Sequence, residues 1–230
     1  MILAAGRGER MRPLTDTCPK PLLAAGGKPL IVWHIERLVA GGMRDLVINH
    51  AHLGHLLEDA LGDGARFGAR IRWSPEPPGA LETAGGIRHA LPLLGDAPFL
   101  VINGDTFVDW DVTAATTALS DHDLAHLVLV PNPQHNPRGD FALTAGGRVT
   151  NATDDRLTFS GIGIYRPQLF ADLPDNTPAK LAPLLRTAAD AGRVGGSVHR
   201  GRWEDIGTPE RLGALDQELQ ELTACHRKSR

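Results

Sequence analysis

The chain has 230 residues, 42% of them apolar, which is enough to bury a sizeable core, and we expect one domain. A formal charge of −3 with no dense run of Lys or Arg argues against a nucleic-acid or membrane-surface protein and points to a small anionic partner. No apolar run approaches the roughly 18 residues of a membrane span, and Cys18 and Cys225 sit too far apart in sequence to suggest a disulfide framework, so we expect a cytoplasmic chain.

The predicted elements alternate between strand and helix. A clipped strand over 2–5 is followed by a helix over 29–39, with Leu30, Ile31, His34, Ile35 and Leu38 on one face and Gly41-Gly42 as its stop. Strand 46–49, helix 54–61, strand 70–74, helix 83–94 and the fully apolar strand 99–102 come next, the last ending at Asn103-Gly104-Asp105. A helix over 111–119 leads into strands at 127–131, 141–144, 148–150 and 157–165, which predict a small mixed-sheet lobe. Helix 179–191, strand 195–200 and helix 209–222, capped by Thr208, complete the chain. The pattern predicts an α/β protein with a Rossmann-like, doubly wound, mixed but mainly parallel sheet.

The stretch LAAGRGERMRPLTDTCPKPL, residues 3–22, lies where the first strand ends, and ligands of open α/β sheets sit beyond such ends. Small residues there free backbone amides for phosphate oxygens. The Walker pattern fails for want of Gly-Lys-Ser/Thr, and the dinucleotide pattern fails at Met11 and at Asn49, which closes the second strand where an acid is wanted. What remains is Arg7, Arg10, Arg12 and Lys20 on one loop whose backbone is restricted by Pro13, Pro19 and Pro21. The competing reading is a solvated basic loop. Cys18 lies in the same loop with no adjacent histidine, which argues against a nucleophile.

A nucleoside triphosphate site also needs a divalent metal. Asp105, in VINGD, and Asp205, in WEDIGT, each follow a strand and precede a turn, so both can project into one crevice and serve Mg²⁺, which takes one or two carboxylates beside phosphate and water. Turn capping is the alternative for each. His50, His52 and His55 lack an evident fourth ligand and are read as ordinary loop residues.

LAAGRGERMRPLT followed by PKPL, VINGD and WEDIGTPERL closely resembles the bacterial sugar-1-phosphate nucleotidyltransferases, in order and spacing over nearly the whole chain. PNPQHNPRGDFAL, TFSGIGIY and KLAPLLR resemble the branch that joins UTP to N-acetylmuramic acid 1-phosphate in cell-wall recycling. Guanylyl transfer to mannose 1-phosphate, or thymidylyl or uridylyl transfer to glucose 1-phosphate, is the alternative, and a non-catalytic nucleotide-binding regulator a remoter one. The resemblance implies a GT-A-like fold, a monomer, and a chain whose residues 1–111 mainly bind nucleotide and whose residues 112–230 mainly bind sugar. It implies main-chain contacts to the nucleotide from Leu3, Ala4, Ala5, Gly6 and Gly8, with Arg12 and Lys20 on the phosphates. Glu76 and Thr83 would lie along the base and Asn103 near the ribose or sugar phosphate, with Mg²⁺ on Asp105 and Asp205. Gly139, Asp140, Ser160, Gly161 and Lys180 would form the sugar pocket. The Glu-Lys-Pro segment of many relatives has no counterpart in NATDDRL, leaving Arg156 or Lys180 for the sugar phosphate and Arg138, Arg156 or Lys180 for the lactyl carboxylate.

Overall fold

The computed structural model describes residues 1–77, 79 and 81–228, the last four by backbone alone, so the Cys225 side chain lies outside the described residues. In chain order the strands are β1 (Ile2–Leu3), β2 (Ala24–Ala25), β3 (Lys28–Pro29), β4 (Asp45–His50), β5 (Arg70–Pro75), β6 (Phe99–Asn103), β7 (Thr106–Val108), β8 (Ala125–Val130), β9 (Phe141–Leu143), β10 (Val149–Thr150), β11 (Arg156–Tyr165), β12 (Val194–Val198) and β13 (Trp203–Asp205). The helices are α1 (Leu30–Ala40), α2 (Gly54–Leu61), α3 (Glu82–Leu94), α4 (Ala115–Ala118), α5 (Leu181–Asp190) and α6 (Pro209–Lys228). No described helix is long and apolar enough to cross a membrane.

The main sheet runs β5-β4-β1-β6-β11-β8-β12. The pairs β5/β4, β4/β1, β1/β6 and β8/β12 are parallel, and β11 is antiparallel to both of its neighbours. Alternation along the strands sorts the core into two layers. Leu46 and Ile48 of β4 and Leu100 and Ile102 of β6 face Ile31, Ile35 and Leu57 of α1 and α2. Val47, Phe99 and Val101 join Ile87 of α3 and Leu185 of α5 on the opposite face. A third cluster joins Met11, Leu30, Phe107 and Ile206 to Leu212, Leu215 and Leu219 of α6.

Most predicted elements are present, with differences at the short ones. Strand β1 ends at Leu3 because the Ala4 amide is taken by the Asn49 side chain, 2.9 Å away, instead of by the ladder. The helix expected over 111–119 is a 3₁₀ turn, Val112–Ala114, and the four-residue α4. Asp111 caps Thr113 there, and three threonines are poor helix formers. The pair β7/β13 and the β2/β3 hairpin were not predicted; with two or three residues each they are too short to show a period. The long β11 leaves the sheet in two directions. Residues 156–157 pair with β9, whereas Ile162–Tyr165 pair with β6, and a register shift between Phe159 and Ile162 separates the two stretches.

Candidate functional site

In the order β5-β4-β1-β6 the chain winds outward from β1 first toward β4 and later toward β6, so β1 is the switch point. Beyond the carboxyl ends of these strands lies a cleft of about 570 Å³. Leu3 to Met11 form one wall, with Asn49 and Asn103 near the ends of β4 and β6, Asp105 in the turn after β6, Lys20 from the 3₁₀ turn at 20–22, and Glu76, Gly79, Glu82 and Thr83 completing the lining.

The loop after β1 is held at its base. Asn49 accepts from the Ala4 amide and donates to Glu76 Oε1 at 2.6 Å, while Glu76 Oε2 accepts from the Leu81 amide at 2.9 Å. Asn49 is 3% exposed, a buried polar group with every contact spent on shaping this wall. Gly8 adopts φ +66°, and a Cβ there would lie 2.9 Å from Thr15 Cγ2, so glycine is required for this turn. Thr15 Oγ1 donates to Gly8 O at 2.8 Å and Met11 is fully buried beneath. Between these anchors the amides of Gly6, Arg7, Gly8, Glu9 and Arg10 donate to no acceptor among the described residues. A run of unspent N–H groups on a cleft wall is an anion cradle. Arg7 and Arg10 line the cleft, whereas Arg12 is paired with Asp16 at 2.9 Å and is not among the lining residues.

Asp105 occupies the turn between β6 and β7, and Lys20 Nζ lies 2.7 Å from its Oδ2, with only 8% of the lysine side chain exposed. Asp205 closes β13, which pairs with β7 in the register Asp205↔Thr106; the Ile206 amide donates to Asp105 O at 3.0 Å. The turn that carries Asp105 and the strand that ends in Asp205 therefore adjoin although 100 positions separate the two residues. Asp205 Oδ2 accepts from Arg211 Nη1 at 2.9 Å. A Cβ placed on the cleft residue Gly207 would lie 2.9 Å from Asp205 Oδ2 and 3.1 Å from Arg10 Nη2, which puts both groups at the cleft's edge. Oδ1 of each aspartate meets no donor among the described residues. The described residues hold no group of three or more His, Cys, Asp or Glu fit for a metal, so a cation here would depend on these two carboxylates and the oxygens of its substrate. Behind them, His34 Nε2 lies 2.7 Å from Thr106 O. Burial lowers the His34 pKa to about 4, against the opposing hydrogen bond, so the ring is neutral and donates to that carbonyl.

The expected sugar-pocket residues lie outside the cleft lining. Ser160 is 1% exposed; its hydroxyl donates to Val128 O at 2.6 Å and accepts from the Ile162 amide at 3.2 Å, so it is buried and spends its proton inside the β11 bulge. Gly161, at φ +80°, lets Asn103 approach: a Cβ would meet Asn103 Nδ2 at 2.5 Å. Asp140 Oδ2 is used by the Phe159 amide at 2.8 Å and by Asn136 at 3.2 Å. Gly139, at φ +61°, packs against Arg156, whose guanidinium is bound to the carbonyls of Ala152 and Asn151. Lys180 is exposed at the N-terminus of α5. Asn49 and His135 were not named as site residues from the sequence, and Arg10 was named only as one of four cations on the loop. Asn49 was visible as a lone polar side chain in the apolar run LVIN. Nothing in local spacing marks Arg10 over Arg12 or places His135, whose Nε2 is 3.5 Å from Asp205 Oδ2.

The model of the nucleotidyl transferase family matches residues 1–221. The chain is 57% identical over 217 residues to the N-acetylmuramate alpha-1-phosphate uridylyltransferase of Neisseria meningitidis serogroup B, covering 92% of this chain and 94% of that protein. It is 36% identical over 234 residues to the protein of the same name from Caulobacter vibrioides, covering 96% of each. A solved Bacillus anthracis structure in complex with a sucrose superposes with a TM-score of 0.82 over 95% of this chain and 94% of that one; at 21% identity this supports the fold alone.

Proposed function

Because this chain belongs to the nucleotidyl transferase family, we propose that it joins UTP to N-acetylmuramic acid 1-phosphate, yielding UDP-N-acetylmuramic acid and pyrophosphate. It is a sugar-1-phosphate nucleotidyltransferase by its relatives, and the choice of base and sugar follows the names of the two relatives that are 57% and 36% identical to it. The observation that carries the reading is the cradle of five unspent amides near the aspartates of two adjoining segments, Asp105 in the β6–β7 turn and Asp205 at the end of β13.

A phosphate oxygen of the sugar 1-phosphate attacks the α-phosphorus of UTP, a new P–O bond forms, the α–β bridge breaks and pyrophosphate departs with its electron pair. The nucleophile is already an anion, so the chain needs no general base, and positioning with charge neutralisation supplies the rate. The amides of Gly6 to Arg10, with Arg7 and Arg10, hold the phosphates that leave. Lys20, fixed by Asp105, places one more positive charge on the floor. Leu3, Ala4, Ala5, Glu76 and Thr83 line the nucleoside, with Asn103 between nucleotide and sugar. Asp105 and Asp205 offer two hard oxygen donors that suit Mg²⁺. When bound, that ion neutralises the repulsion between the attacking and attacked phosphates.

The test is pyrophosphate release from a panel of N-acetylmuramate, N-acetylglucosamine, glucose and mannose 1-phosphates against UTP, dTTP and GTP. N-acetylmuramate 1-phosphate with UTP gives the highest kcat/KM, and a tenfold preference for any other pair refutes the assignment. In the same assay Asp105→Asn loses at least a hundredfold in kcat, about 3 kcal/mol of transition-state stabilisation. A variant retaining a tenth of the rate removes Asp105 from the chemistry.

A further inference from the structure

The connection between β8 and β9 is built as a rigid arm. Asn132 Nδ2 donates to Arg156 O at 2.9 Å and to Pro137 O at 3.3 Å, and Asn132 Oδ1 accepts from Thr158 Oγ1 at 2.9 Å. Asn136 Nδ2 reaches Asp140 Oδ2 and Thr158 Oγ1, each at 3.2 Å. Pro131, Pro133 and Pro137 restrict the backbone between these anchors. At the tip is His135. Its ring stacks on Trp203, with centroids 6.4 Å apart and planes inclined by 22°, and its Nε2 lies 3.5 Å from Asp205 Oδ2. Trp203 is itself braced by its Nε1, which donates to Ser160 O at 2.8 Å. Both ends of the contact are thus fixed by the second half of the chain, while Asp205 faces the first.

We propose that His135 is a positioning residue for the transfer reaction, acting through Asp205. Its Nε2 approaches Oδ2 while Arg211 holds the same oxygen at 2.9 Å, so both groups restrain one oxygen of the carboxylate and Oδ1 meets no donor among the described residues. The remaining gap is a few tenths of an ångström beyond a hydrogen bond, which a small ring tilt closes. This rests on the role given above to Asp205.

The test compares wild type, His135→Ala and His135→Gln, whose amide nitrogen reaches the position of Nε2. The readouts are kcat and KM for the sugar 1-phosphate, and Mn²⁺ affinity with UTP present, followed by electron paramagnetic resonance, which needs no turnover. His135→Ala lowers kcat tenfold or more and weakens Mn²⁺ fivefold or more, and His135→Gln returns both to within threefold of wild type. If alanine lowers the melting temperature, His135→Leu, which keeps the bulk without a donor, replaces it in the comparison. Wild-type behaviour of the alanine variant, or equal loss in the glutamine variant, overturns the proposal. A wild type that binds Mn²⁺ but turns over no substrate pair refutes the proposed reaction, and the Mn²⁺ measurement still decides the role of His135.

Discussion

Arg10 and Arg12 stand two positions apart and the loop gives them opposite environments. Glu9–Met11 is a 3₁₀ turn, in which a two-residue step rotates a side chain by about 240°. Met11 between them is drawn into the core, Arg10 is left at the cleft beside Gly207, and Arg12 turns out to Asp16. In the sequence the four cationic residues of this loop are equivalent candidates; what separates them is the depth of Met11, which no local period announces. The expected outcome follows from the geometry. Arg10→Ala lowers kcat/KM for UTP by about a hundredfold, as loss of one charged donor to a phosphate does, whereas Arg12→Ala changes it less than threefold. Steady-state kinetics of the two variants decides, and the reverse order would restore Arg12 to the phosphates.

Among the elements, β11 carries the most consequence for the site. Nine of its ten residues, 157–165, were legible as a strand because β-branched and aromatic residues dominate TFSGIGIY, and the α/β alternation of the first half was legible for the same kind of reason. The bulge at Ser160-Gly161 was not, since a serine and a glycine in a strand read equally well as ligand contacts. The bulge works from behind instead: the Ser160 carbonyl holds Trp203 and the absent Cβ of Gly161 admits Asn103. Gly161→Ala adds left-handed strain and drives a methyl onto Asn103. It costs about 1–3 kcal/mol of stability and at least a fivefold loss in kcat/KM. Gly27→Ala is the control, because Gly27 has φ +76° but nothing within 4 Å of its missing Cβ. It bears the strain alone and keeps full activity. Urea denaturation and kinetics on both variants separate strain from the displaced asparagine; equal activities would show that Asn103 tolerates the methyl.

At the scale of the molecule, the candidate site hangs on packing that joins its carboxylate turn to the helix layer, and pH exposes that dependence. His34, on α1, is 2% exposed and donates to Thr106 O, one residue beyond Asp105. Its pKa falls to about 4, first through burial, with Arg37 pushing the same way and the Thr106 hydrogen bond and Asp105 opposing. The unfolded chain binds a proton at this residue below about 6.5, and the folded one does not until near 4. Between those limits the unfolded state holds more protons, so stability is full above pH 6.5 and drains as pH falls, by about 1.4 kcal/mol per unit from this group. Against a total stability of about 5–15 kcal/mol that is a large loss by pH 4.5. His34→Gln keeps a donor for Thr106 O and removes the titration. Its urea-derived stability at pH 7 stays within about 1 kcal/mol of wild type, and between pH 6 and 4.5 its decline is shallower by that per-unit amount. His126, lowered in the same direction by its own burial, remains in both proteins and cancels from the comparison. Parallel declines in the two proteins would mean that His34 accepts its proton in the folded protein as readily as in the unfolded chain, its Nε2–H still donating to Thr106 O.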